Sequence, residues 1–374
     1  MHDIAEAPPS NVAPPLSLKP FTAMRLAPQQ LGDPASARAF ARPYHRVAGR
    51  LEQWRKRGFV HRDDHPALYI HEYTAGGLTI RGLVGALDLT HRTRGDAPAV
   101  VLPHEGVHLA QTRELASRME EMNLNPAPIL LVTHGGRRVT RRVAHTLNSS
   151  PEIEYVDKGG QTHRFWRIDD PHMVDGIGQD LATSDALVAD GHHRYAAYLD
   201  LQRRHPGTAW DRGLAMLVDQ DDTPLHLGPI HRVLEHVDFA QLTSAATNVG
   251  GSIELMDRAG ALSRLGPGTM VAYDGARWAA LSLPIPSDDL VVCALHASLV
   301  PALPSSTTVH FHHTVQATLD ATESRRGRLG LLLPAPEFDL VLRHGREGRL
   351  LPEKATSFQP KPHTGGIMRN LLDG

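Results

Sequence analysis

Asp190-Gly191-His192-His193-Arg194 puts a carboxylate, a glycine, two imidazoles and a guanidinium in one short run of chain. The preceding Asp185 to Ala189 reads as a buried strand. Beyond the run, Tyr195, Tyr198 and Leu199 share a helical face at i, i+3 and i+4, so the pentapeptide occupies a strand-to-helix corner. Gly191 lets the backbone approach a ligand closely, and a helix N-terminus offers unpaired N–H groups and a positive dipole end. Arg194 adds a fork of donors suited to phosphate or carboxylate. The expected chemistry is anion binding. Asp190 is expected to hold Mg²⁺ beside that anion, and His192 or His193 to donate to a phosphoryl oxygen or shuttle a proton. The structural alternative is a capping aspartate followed by two polar turn histidines.

Leu102-Pro103-His104-Glu105 also follows a buried strand and precedes a helix, so His104 and Glu105 are expected at the same sheet edge as Asp190. Glu105 is the leading candidate base; the alternative is an acidic residue favoured by the dipole of a first helical turn. Lysine occurs only at positions 19, 56, 158, 354 and 361, and the last two lie seven residues apart. Lys354, Thr356 and Lys361, among prolines that restrict the backbone, suggest a phosphate clamp, with a solvated proline-rich loop as the alternative.

The elements that must position these groups alternate. Leu68 to Tyr73 and Leu78 to Leu87 flank Ala75-Gly76-Gly77 as a hairpin, and Ala99 to Leu102 and Pro128 to Val132 are short apolar strands around a helix carrying Leu115, Ala116, Met119 and Met122. His163 to Ile168 and Leu214 to Val218 add two strands. From about residue 235 the pattern supports a helix over 239–248, a hairpin turning at Asp274-Gly275 and a helix over roughly 315–326. The reading is an α/β to α+β chain: a disordered tail over 1–18, an anion-binding domain over 19–234, and a smaller α+β domain over 235–374 that carries the clamp as a loop feeding a short helix.

With 374 residues and 41% apolar content, the chain can build substantial cores, while a formal charge of −2 gives no basic field for nucleic acid. The expected partner is a small molecule, with neither nucleic acid nor membrane. The lone Cys293, inside the apolar run Leu290 to Leu295, predicts a buried strand and excludes an intramolecular disulfide framework. Without an apolar run of membrane-spanning length, the expected compartment is the cytoplasm. The 24 histidines form no spaced zinc-ligand motif.

Several of these motifs, taken in order, resemble the bacterial and archaeal family catalogued as domain of unknown function 1015. They are Pro43-Tyr44, Leu68-Tyr69, Pro103-His104-Glu105, Pro128-Ile129, His163 to Ile168, Asp190 to Tyr195, His231-Arg232-Val233 and Pro352 to Lys361. The Asp190 turn is in addition similar to the Asp-Gly-His-x-Arg turn of free serine kinases with the ParB and sulfiredoxin-like fold. That resemblance implies a mixed-sheet core of this kind, with Asp190, Gly191 and Arg194 on Mg²⁺ and the phosphates of ATP or ADP, and Glu105 as base toward an acceptor hydroxyl. The chain departs from the family pattern at His45 and Thr314, where an acid is usual, at Gly106-Val107, where Arg-Thr is usual, and in Lys354 to Phe358, where Lys-Ser-Thr-Tyr-Phe is usual.

Three functional expectations follow. The first is a nucleotide-dependent phosphotransferase acting on a small hydroxylated metabolite. The second is a nucleotide-sensing module without chemistry, which the missing carboxylates would permit. The third is a metal-dependent hydrolase built on His104, His192, His193 and Asp190.

Overall fold

A computed structural model describes residues 11–94, 97–135 and 137–373. The chain divides into two units, one of the described residues through Leu225 together with those from Pro360, the other His226–Gln359. The expected division at 234/235 therefore falls elsewhere. His231–Glu235 pairs with Thr308–His312 and Arg328–Leu332 in the second unit, and the C-terminal segment returns to the first.

The first unit is built on a mixed sheet. Its strands in chain order are β1 (Leu18–Lys19), β2 (Leu68–Ala75), β3 (Leu78–Asp88), β4 (Val101–Leu102), β5 (Ile129–Thr133), β6 (Ile153–Val156), β7 (Thr162–Ile168), β8 (Ala186–Asp190) and β9 (Arg212–Asp219). They lie in the order β4-β8-β5-β9-β3-β2-β7-β6, with β1 beside β3. β8 runs parallel to β4 and β9 parallel to β5, and the other pairings are antiparallel. The β2–β3 hairpin turns at Gly76 and Gly77, both at positive φ, as the Gly-Gly pair predicts. β5 and β8 are buried over nearly their whole length, which explains their unbroken apolar runs. A smaller sheet joins Val60–Arg62, Ala23–Leu26, Met368–Asn370 and Leu124–Asn125. All four of its strands, like Thr356–Gln359 of the second unit, are four residues or fewer and too short to show a period.

The expectation of a disordered tail is corrected for residues 11–18; residues 1–10 lie outside the described residues. Val12, Leu16 and Leu18 are buried in the main core, and the Val12 N–H donates to the Tyr195 hydroxyl (3.1 Å). Pro14 and Pro15 bend the chain between Val12 and Leu16 without preventing the three apolar side chains from reaching the core.

The second unit carries a six-stranded antiparallel sheet, ordered Ser252–Met256, Trp278–Ser282, Thr269–Tyr273, Arg328–Leu332, His231–Glu235 and Thr308–His312. Helices cover Phe239–Asn248 and Val315–Glu323 as expected. Cys293 lies not on a strand but in the helical turn Val291–Ala294, since a short apolar run fits either element when nothing in its period decides. No helix among the described residues is long and apolar enough to cross a membrane.

Candidate functional site

The parallel pairing of β4 and β8 sets Ala186 opposite Val101 and Leu187 opposite Leu102, so the residues after Leu102 and the Asp190 turn leave the sheet on one side. Gly191, at φ 95°, turns the chain into helix α1 (His192–Arg204), whose Tyr195, Tyr198 and Leu199 are buried as their spacing predicts. A Cβ on Gly191 would lie 2.9 Å from the Arg194 guanidinium, which folds across it. At this φ any other residue would be strained, and its Cβ would also push the guanidinium aside.

Arg194 is already bonded. It donates to Asp190 Oδ2 (2.6 Å) and to the carbonyls of Pro128 (2.6 Å) and Ala127 (3.3 Å), bracing the turn against the start of β5. Lys361 Nζ takes the other carboxylate oxygen, 2.5 Å from Asp190 Oδ1. Burial works to raise the Asp190 pKa, but the charges of Arg194 and Lys361 outweigh it and hold the carboxyl below its ordinary value. With a cation on each oxygen, Asp190 as placed does not fit the expected role of Mg²⁺ ligand.

His104, His192 and His193 do come together with the turn's neighbours. The His104 N–H points at His192 Nε2 (3.4 Å) and their rings meet edge to face, while the His108 N–H donates to His193 Nε2 (3.0 Å). His104 and His192 are buried and Glu105 is half-buried. Among the described residues, Asp190 and these three histidines as placed do not bring three donor atoms to one point.

The lysines of the expected clamp part company. Lys361 reaches Asp190. Lys354 and Thr356 belong to the second unit, where the buried Arg232 donates to the Lys354 carbonyl (3.0 Å) and Thr356 pairs with Pro229 across two short strands. Both have structural employment there.

His363, which the sequence reading missed, is part of a buried polar chain. Asp157 Oδ2 receives His163 Nε2 at 3.0 Å and His363 Nδ1 at 2.5 Å, and His163 Nδ1 lies 2.9 Å from His71 Nε2. Burial would raise the Asp157 carboxyl, yet hydrogen bonds from His363, the Gln161 N–H and His163 bring it below its ordinary value. Since a carboxylate only accepts, both imidazoles must donate to it. Burial lowers the His163 pKa, so the ring is neutral and its Nδ1 accepts from His71 Nε2–H; His71, fully buried, is driven well below its ordinary value and is neutral too. The tautomers are thereby fixed from the core outward, and Nε2 is the ring atom that His363 keeps for a ligand. Gly159 makes this possible, because a Cβ there would sit 2.2 Å from His363 Cε1.

His363 and Arg194 line a cleft of about 500 Å³ together with Phe40, Tyr44, Met119 and Met122, a size and composition suited to a small molecule with an apolar body. Glu105, His104, His192 and His193 are not among its lining residues. In the second unit, burial and the Asp289 carboxylate push the Cys293 thiol up to about 12, so it is no thiolate nucleophile at neutral pH.

The profile of the family described as Protein of unknown function (DUF1015) matches residues 16–345. The chain belongs to this family. Membership assigns the DUF1015 chain no activity. No match was found among curated proteins. Among solved structures, this DUF1015 member is similar to a free serine kinase in complex with AMP (14% identity, 73% of this chain and 89% of that chain covered, TM-score 0.42). It is also similar to a conserved hypothetical protein from Pyrococcus furiosus (14% identity, 73% and 93% covered, TM-score 0.41). A third is SbnI with a C-terminal truncation from Staphylococcus aureus (10% identity, 77% and 88% covered, TM-score 0.45). These likenesses are distant.

Proposed function

We propose that the chain binds a nucleoside phosphate, ATP or ADP, at the Asp190 turn and transfers a phosphoryl group to a small hydroxylated metabolite. The observation that carries this reading is the ion triad of Lys361, Asp190 and Arg194 at the N-terminus of α1, on a guanidinium that also lines an apolar cleft. The two cations exceed the one carboxylate by a positive charge, and the helix start adds its dipole, so an anion is favoured there. Phe40, Met119 and Met122 offer a planar base an apolar surface.

In this reading Lys361, exposed and rotatable, leaves Asp190 for the phosphate, while Arg194 stays bracketed and keeps the turn in shape. The single proton of the attacking hydroxyl goes to one of two candidate acceptors, Glu105 or His363. Glu105 emerges after β4, and His363 presents Nε2 with Asp157 fixing its ring, an arrangement that positions an imidazole for general-base work.

Calorimetry with ATP, ADP and AMP tests the binding half. Lys361→Met should weaken affinity at least tenfold while leaving the fold intact. Arg194→Ala is the poorer test, because it also unpairs the Asp190 carboxylate and two carbonyls. Absence of binding to the unaltered chain would overturn the proposal, and binding would be followed by a phosphorus NMR screen of serine and related alcohols for a new phosphoester.

A further inference from the structure

The second unit holds a cluster that the phosphotransferase reading does not use. Asp289, Cys293 and His344 each bring one donor atom to a common point, a carboxylate oxygen, a thiol sulfur and an imidazole nitrogen all within 4.8 Å of one another. They come from two parts of the unit: Asp289 and Cys293 from one segment, the loop before Val291–Ala294 and that turn itself, and His344 from the helix Phe338–Arg346.

His344 is the second observation. It is 3% exposed; its Nδ1 has no hydrogen-bond partner, and its Nε2 makes no hydrogen bond but faces the Asp289 carboxylate. Leaving a buried imidazole nitrogen unsatisfied costs about 1–3 kcal/mol. Such groups mark a strain reservoir or a ligand. Its Nε2 lies 3.2 Å from Asp289 Oδ1. Two donors bound at about 2.0–2.2 Å to one tetrahedral ion stand roughly 3.3–3.6 Å apart, so this pair is already spaced as one edge of a coordination shell. The Leu290 N–H donates to Asp289 Oδ1 (2.8 Å) and holds the carboxylate in orientation.

We propose that Asp289, Cys293 and His344 bind a divalent transition-metal ion, Zn²⁺ by donor chemistry, with a fourth position open to the adjoining cavity of about 630 Å³. A thiolate and an imidazole select a borderline-soft ion over Mg²⁺ or Ca²⁺. On binding, the thiol proton leaves to solvent as the sulfur–metal bond forms, with no change of oxidation state. Arg349 borders the same cavity, but its guanidinium faces Asp288 (3.5 Å) and Glu347 (2.7 Å), which offset its charge. His296, also on the cavity wall, already accepts from Arg232 Nε (3.1 Å) and is not counted as a ligand.

The test is a Co²⁺ titration of the full chain with any affinity tag removed, followed by Zn²⁺ displacement. The expected result is a thiolate-to-cobalt charge-transfer band in the near ultraviolet, with tetrahedral visible bands, saturating at a single ion per chain and erased by Zn²⁺. His344→Gln should weaken cobalt affinity tenfold or more at unchanged far-ultraviolet circular dichroism. If that variant does not fold, Asp289→Asn is read the same way. Because Cys293 is the chain's single cysteine, the band reports this site alone, and cobalt on surface histidines gives none. Saturation with cobalt without the thiolate band, or a band whose affinity neither substitution changes, would overturn the proposal. Nucleotide binding in the first unit is unaffected by either outcome.

Discussion

Gln161 and His363 fix each other across the sheet edge: the His363 N–H donates to Gln161 Oε1 (3.3 Å), while Gln161 Nε2 donates to the carbonyl of Lys361 (2.9 Å). One buried amide thus pins the backbone that carries both Lys361 toward Asp190 and His363 toward Asp157. The Tyr73 hydroxyl adds a bond to the Pro360 carbonyl (2.7 Å) just upstream.

Gln161→Ala should therefore weaken ADP binding more than Lys361→Met does, because it releases two groups where the lysine substitution removes one. The stability cost should be about 1–3 kcal/mol, from two lost hydrogen bonds and the backbone groups they leave. Calorimetry paired with urea unfolding separates the two effects. Equal binding in Gln161→Ala and the unaltered chain would mean that the C-terminal segment holds its place without this clamp.

Asp157→Asn removes the negative acceptor on which His163 and His363 converge. An asparagine offers one acceptor oxygen and adds two donors, so one imidazole must lose its partner or change tautomer. The expected cost is about 3–5 kcal/mol, as for other broken buried charge networks. Long-range proton–nitrogen NMR of the His363 ring is the discriminating measurement: Nδ1 should carry the proton in the unaltered chain and lose that preference in the variant. An unchanged ring signature would detach His363 from Asp157.

How much of this was legible in the sequence depends on how locally each feature is encoded. The strand-turn-helix corner at Asp190 was readable because Gly191, an apolar strand and a three-residue helical face all lie within about fifteen positions. The adjacency of His104 to this turn followed from two strand ends and is realised by parallel pairing. The Asp157–His163–His363 chain was not readable, because its members come from a turn, a strand and the C-terminal segment, and no spacing rule links positions some two hundred apart. Gly159 was the faint signal, in a Gly159-Gly160 pair beside Asp157. Composition misleads over residues 11–18 because it averages the segment, whereas anchoring depends on Val12, Leu16 and Leu18 individually.

Tyr195→Phe tests that anchoring. The hydroxyl accepts from the Val12 N–H in a fully buried setting, so its removal orphans a backbone donor at a cost of about 1–3 kcal/mol. Hydrogen exchange should accelerate over residues 11–19 before it does so in β8. Unaltered protection at Val12 would show that apolar packing alone holds the segment.

Buried neutral histidines make an acid-labile fold. His231 and His296 are lowered to about 4 by burial and by the charge of Arg232, and His71 and His163 are also lowered, by burial first. In the unfolded chain each titrates near 6.5, so as pH falls from 7 the unfolded state takes up protons that the native state refuses. Stability is therefore fully present above about pH 6.5 and declines toward pH 4, by up to about 1.4 kcal/mol per pH unit for each such histidine. The lowered carboxyls Asp157 and Asp190 act in the same direction at lower pH, since their contribution is present above the unfolded carboxylate value and lost as they protonate. Urea unfolding at pH 7, 6 and 5 should show a midpoint that falls at each step with an unchanged slope. A midpoint constant across that range would mean that these rings take up protons in the native state as readily as in the unfolded chain, and a midpoint that rises would mean that they are protonated and paired there; either would overturn the tautomer assignment of the Asp157 chain.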